Sequence, residues 1–81
     1  MIDRDECGRR IRAAREAAGL TQAAAAERLG VARQSYLQYE SGRRVPSWIA
    51  LMELIETLGL DPKILLPEFV GPARARKPRA E

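Results

Sequence analysis

Residues 33–38 read Arg-Gln-Ser-Tyr-Leu-Gln, and three of those six side chains form planar, two-pronged hydrogen bonds. An arginine guanidinium can grip guanine O6 and N7 as a fork, and a glutamine amide can engage adenine N6 and N7. Each such pair discriminates against a wrong base by about 1–3 kcal/mol. Arg33, Gln34 and Gln38 offer this chemistry, and Leu37 between them offers an apolar contact of the kind a thymine methyl accepts. The same four residues would also serve as the solvated face of an ordinary surface helix. What decides between the two readings is whether the surrounding elements hold that face outward.

The rest of the inventory removes competing chemistries. The chain has one cysteine, Cys7, and no histidine, so it has no internal disulfide and no imidazole or thiolate cluster for zinc. Ser-His and Cys-His nucleophiles are likewise absent, and the carboxylates lie on amphipathic segments without converging, which argues against an enzyme. No small-molecule ligand or cofactor is expected. No apolar run approaches the roughly 20 residues that span a bilayer, and the amino terminus opens on charges. The expectation is a cytoplasmic protein with no membrane partner, and the single free cysteine suits a reducing compartment.

Eighty-one residues make one small domain, expected over residues 1–70, with no second, ligand-sensing domain. The net charge of +3 is unevenly placed: residues 1–70 hold ten basic and ten acidic side chains, whereas 71–81 hold four basic and one acidic. Within the body, residues 31–46 carry Arg33, Arg43 and Arg44 against Glu40 alone. One face of the domain should therefore be basic.

Period and punctuation predict five helices and no strand, an all-α fold. The first spans about residues 6–18, with Ile11, Ala14 and Ala18 on one face and Gly19 just past its end. Thr21 caps a second helix over 22–29, closed by Gly30. A third follows over about 32–39, after a turn that allows only a sharp change of direction, and ends near Ser41-Gly42. Ala26, Val31, Tyr36 and Tyr39 are expected to wedge this pair at a fixed angle. Pro46-Ser47 opens a fourth helix whose Leu51, Leu54, Ile55 and Leu58 form an inward stripe, and Gly59 closes it. Asp61-Pro62 starts a short fifth helix through Leu66, stopped by Pro67. From Gly71 onward there is no apolar period, and a disordered basic tail is expected.

Residues 22–42 read Q-A-A-A-A-E-R-L-G-V-A-R-Q-S-Y-L-Q-Y-E-S-G, which resembles the Cro and lambda-type phage repressor (XRE) family of helix-turn-helix regulators. Ile11, Arg15, Gly19, Leu20, Thr21, Pro46, Ser47, Leu54, Leu58 and Gly59 also fall in the family's spacing, so the resemblance covers about residues 8–66. It implies a compact five-helix lambda-repressor-like domain, with the helix-turn-helix pair over about 21–41 and its second helix in the major groove of double-stranded DNA. By resemblance, Arg33, Gln34, Leu37 and Gln38 are the base-reading positions. Gln22 matches the family's phosphate-binding glutamine, and Ser35, Ser41, Arg43 and Arg44 flank the reading helix as phosphate contacts. Trp48 occupies a position near the DNA backbone, where its indole N–H would donate to a phosphate or its ring would pack beneath the preceding loop. Arg15 and Glu40 match a partly buried structural ion pair. Two departures stand out: Ala25 replaces a larger apolar residue, and Ala32 replaces the Ser or Thr that caps the reading helix, at a cost of roughly 1 kcal/mol. Tyr36 and Tyr39 are the expected compensation for the first.

One reading helix covers too few base pairs to single out an operator, so a homodimer on a palindrome with half-sites about 34 Å apart is expected. Candidate self-contacts are Leu60, Leu65, Leu66, Phe69 and Val70, unless most of these close the core. The tail's Arg74, Arg76, Lys77 and Arg79 would add phosphate attraction or merely solubilise the end. The expected function is an autoregulating transcriptional repressor. The alternative is an antitoxin-like or controller protein whose main role is binding a partner protein.

Overall fold

The computed structural model describes residues 3–67. Five helices follow one another, α1 (Arg4–Ala17), α2 (Gln22–Leu29), α3 (Arg33–Ser41), α4 (Trp48–Leu58) and α5 (Pro62–Leu65), with no strand among the described residues. The all-α expectation is met. Phe69, Val70 and the basic tail lie outside the described residues.

Four of the five helix starts are set by a short polar side chain that accepts a bond from a free first-turn amide. Glu6 N donates to Asp3 Oδ1 at 2.8 Å, Ala24 N to Thr21 Oγ1 at 3.0 Å, Ala50 N to Ser47 Oγ at 3.1 Å, and Lys63 N to Asp61 Oδ1 at 2.9 Å. The Asp3 cap explains why α1 begins two residues earlier than its apolar period suggests. Only α3 lacks such a cap: Ala32 has the extended backbone of a cap residue and no side chain to complete it. The ends of α1, α2 and α4 share another device. Leu20 N bonds Arg15 O, Val31 N bonds Ala26 O and Leu60 N bonds Ile55 O at 3.1–3.2 Å. Each bond spans five residues around a left-handed glycine, the Schellman closure.

α1 packs on α3 and α5, and α2 packs on α3 and α4, so α3 is held between the first two helices. The core consists of Ile11 and Ala14 of α1, Ala25 and Ala26 of α2, Tyr36 of α3, Leu51, Leu54 and Leu58 of α4, and Leu60 and Leu65 around α5. Tyr36 is the largest fully buried side chain, and it shares that core with Ala25. Two apolar assignments differ from expectation. Ala18 is exposed, because it is the C-cap of α1 and the chain is already turning there. Val31 is also exposed, which leaves buried Ala26 and Tyr36 and half-buried Tyr39 of the four expected wedge residues. No helix among the described residues is long and apolar enough to cross a membrane.

Candidate nucleic-acid interface

The site is organised around one carboxylate. Arg15 Nε donates to Glu40 Oε2 at 2.6 Å and Nη2 to Oε1 at 3.3 Å, a two-pronged pair between α1 and the last turn of α3. The Tyr36 hydroxyl, one turn before Glu40, donates to the same carboxylate, and Gln22 Nε2 at the start of α2 donates to Oε1 at 3.2 Å. An ionised carboxylate offers about four lone-pair sites, so Glu40 is saturated. The side chains of Arg15 and Glu40 are 8% and 5% exposed. Burial alone would raise the Glu40 carboxyl, but the bonds from Arg15, Tyr36 and Gln22 outweigh it and hold the group below the usual carboxylate range. The Glu40 hydrogen bond also raises the Arg15 guanidinium. Burial first, and then the bond to Glu40, pushes the Tyr36 phenol well above its ordinary value. All three therefore stay in one ionisation state across neutral pH. Arg15 Nη1 also bonds Leu20 O at 2.8 Å, tying in the turn that leads to α2.

Gln22 carries this order outward. Its Oε1 accepts from Arg33 Nη2 at 3.4 Å, so a path of side chains runs from the buried pair through Gln22 to the first residue of α3. One Gln22 N–H is spent on Glu40, and the amide's second N–H remains to donate to an anion. It stands at the first position of α2, where free backbone amides and the helix dipole favour negative charge.

Along α3, Arg33 and Gln34 are exposed, Gln38 is half-buried, and Leu37 is half-buried against the core. Leu37 therefore divides its surface between core and solvent. Ser35 is half-buried, and exposed Ser41 bonds back to Gln38 O at 3.2 Å. After α3, Arg43 and Arg44 are exposed in the loop. Arg44 lies with its guanidinium carbon 5.9 Å from the Tyr39 ring centroid, and its amide bonds Gln38 O at 3.2 Å, so its side chain starts from an ordered base. Trp48, at the first position of α4, is 55% exposed. These positions bring Gln22 and Arg33 into direct contact and leave Arg43 and Arg44 one turn beyond the far end of α3.

The candidate self-contact residues divide differently. Leu60 and Leu65 are each 3% exposed and enclosed in the chain's own core, so neither offers surface to a second copy. Leu66 is half-buried against that core.

The sequence marks Gly42 as a helix end but shows neither it nor Gly8 as a point of close approach. A Cβ on Gly8, in mid-α1, would stand 2.4 Å from Glu40 O, and one on Gly42 would stand 2.8 Å from Asp5 Oδ1. Gly8 lets α1 and α3 approach closely enough for Arg15 to reach Glu40. A glycine inside an otherwise helical period was the only signal, and such a residue costs about 1 kcal/mol unless packing requires it.

An alanine-rich helix, a tight turn and a second helix with an exposed Arg-Gln face, buttressed by a third, define the helix-turn-helix class of DNA-binding domain. A family model described as a helix-turn-helix domain matches residues 6–66. The chain belongs to that family, a domain found in XRE-type regulators, and is a DNA-binding regulator. Comparison with curated proteins and with solved structures returned no match.

Proposed function

We propose that this regulator is a transcriptional repressor that binds a palindromic operator as a homodimer, with α3 in the major groove. The observation that carries the reading is the ordered path from Glu40 through Gln22 to Arg33, which joins an exposed base-reading candidate to the rigid core. A reading side chain held in this way gives up less rotamer freedom on binding. Arg33, Gln34 and Gln38 read base edges and Leu37 contributes its exposed part to a methyl contact. The second N–H of Gln22, with Ser35, Ser41, Arg43, Arg44 and the indole N–H of Trp48, contacts phosphates. With Leu60 and Leu65 enclosed, half-buried Leu66 remains a candidate for the self-contact and is joined by Ile49 of α4. At 72% exposed, it is the most exposed large apolar side chain among the described residues.

The test is a mobility shift on the DNA upstream of the protein's own gene, beside a triple variant with Arg33→Ala, Gln34→Ala and Gln38→Ala whose folding is verified by circular dichroism. Tight binding of one site by the wild type, lost in the folded variant, is the expected result. Equal, weak binding of all sequences by both proteins would overturn it.

A further inference from the structure

We propose that the apolar groove between the first turn of α1 and the start of α4 is the seat of this chain's own residues 68–70, with Phe69 as the anchor. The groove encloses about 460 Å³, and its walls are Cys7 of α1, Val45 and Pro46 of the loop, Trp48 and Leu51 of α4, and Leu66. Asp3 and Arg4 also line it. A space of this size suits an aromatic side chain with a smaller companion.

Three observations assign the occupant. First, Leu66 is at once a wall of the groove and the C-cap of α5, so the described chain leaves the fold at the groove's edge. Arg10 Nη1 holds that exit against α1 by donating to Leu65 O at 3.2 Å. Second, the next residues are Pro67, Glu68, Phe69 and Val70. Phe69 and Val70 are the only large apolar residues after Leu66, since the remainder is Gly, Pro, Ala, basic residues and a final Glu. Three extended residues reach about 10 Å, enough to enter a groove that begins at Leu66. Third, Val45 and Trp48 are 50% and 55% exposed along that wall. Docking covers this apolar surface with the nearest apolar segment. It also roots the segment bearing Arg74, Arg76, Lys77 and Arg79 beside the loop of Arg43 and Arg44, a corollary that rests on the DNA-binding reading, whereas the docking itself does not.

Cys7 is the sole cysteine and lines the groove, so it reports on the docking directly. The full chain carrying Val70→Cys is oxidised with diamide, which takes up the two thiol hydrogens, and the products are resolved by non-reducing electrophoresis and peptide mass spectrometry. A disulfide needs Cα atoms about 4.4–6.8 Å apart. The expected result is an intramolecular disulfide to Cys7, forming about tenfold or more faster than in the same Val70→Cys chain that also carries Phe69→Ser, because docking through Phe69 raises the local thiol concentration at equal tether length. As a second readout, the emission of Trp48, the only tryptophan, should move to longer wavelength in Phe69→Ser and stay at the wild-type position in Phe69→Leu. Equal rates for the two cysteine variants, a disulfide-linked dimer as the product, or unchanged emission in a folded Phe69→Ser protein would each overturn the proposal. Both measurements are made without DNA, so their failure is distinct from failure of the repressor reading.

Discussion

Glu40 takes bonds from three helices with one side chain, and the consequences of removing any partner differ. Arg15→Ala leaves a carboxylate that is 5% exposed without its cation, which should cost about 3–5 kcal/mol, measured by urea unfolding. Lost DNA binding in that variant would report instability before it reported recognition. The pH dependence follows from the direction of the Glu40 shift. Its folded value lies below the ordinary 4.5, so the unfolded chain takes up the proton first as pH falls. The stability due to this group is fully present above pH 4.5 and is lost as pH drops through the folded value. Unfolding free energies from pH 6 to pH 3 should therefore fall less steeply in Glu40→Gln than in the wild type. Glu6, also lowered by bonds from Arg9 and then Arg10, supplies part of the slope that remains. An identical slope in both proteins would show that Glu40 is not paired in solution.

At the scale of elements, the five helices were legible because their boundaries are written in local chemistry: Thr21, Ser47 and Asp61 as caps, Gly19, Gly30 and Gly59 as closures. The start of α1 was misjudged because Asp3 lies outside the apolar period. What local pattern does not contain is contact between distant segments. Gly8 against Glu40 spans α1 and α3, the sharing of Gln22 between Glu40 and Arg33 depends on the angle between α2 and α3, and the enclosure of Leu60 and Leu65 depends on where α1 packs. Two predictions belong here. Ala32→Ser supplies the missing acceptor at an exposed cap whose backbone is already extended, and should stabilise the fold by about 0.5–2 kcal/mol in thermal or urea unfolding. Gly8→Ala gains helix propensity but drives a Cβ into the Glu40 carbonyl. It should be destabilising by about 1–3 kcal/mol, and a stabilised Gly8→Ala protein would refute the close approach of α1 to α3.

The molecule as a whole is small, and its described part spends most of its large apolar side chains on one core. Ile49 is left standing on α4. If two copies meet there, Ile49→Glu should yield a monomer by sedimentation velocity at concentrations where the wild type is a dimer. Operator affinity would fall because one half-site alone must then hold each copy, while the melting temperature of the monomer unit would change little, since the residue is already exposed. Deleting residues 71–81, which hold four positive charges against one negative, should weaken binding to all DNA sequences alike and flatten its salt dependence if the tail touches phosphates, and should change neither if it only solubilises the end.

The bond between Gln22 and Arg33 also bears on how such a regulator can diverge. On the proposed reading, a duplicated copy that altered exposed Gln34 would change its target without disturbing Glu40 or the packing of α1 on α3. A copy that altered Arg33 would leave Gln22 held by Glu40 alone, without the bond that joins it to α3's first residue. Descendants of this chain should therefore explore new operators first through Gln34 and hold Arg33 longest, a drift that parallel selection for altered binding sites would reveal in the order in which substitutions appear.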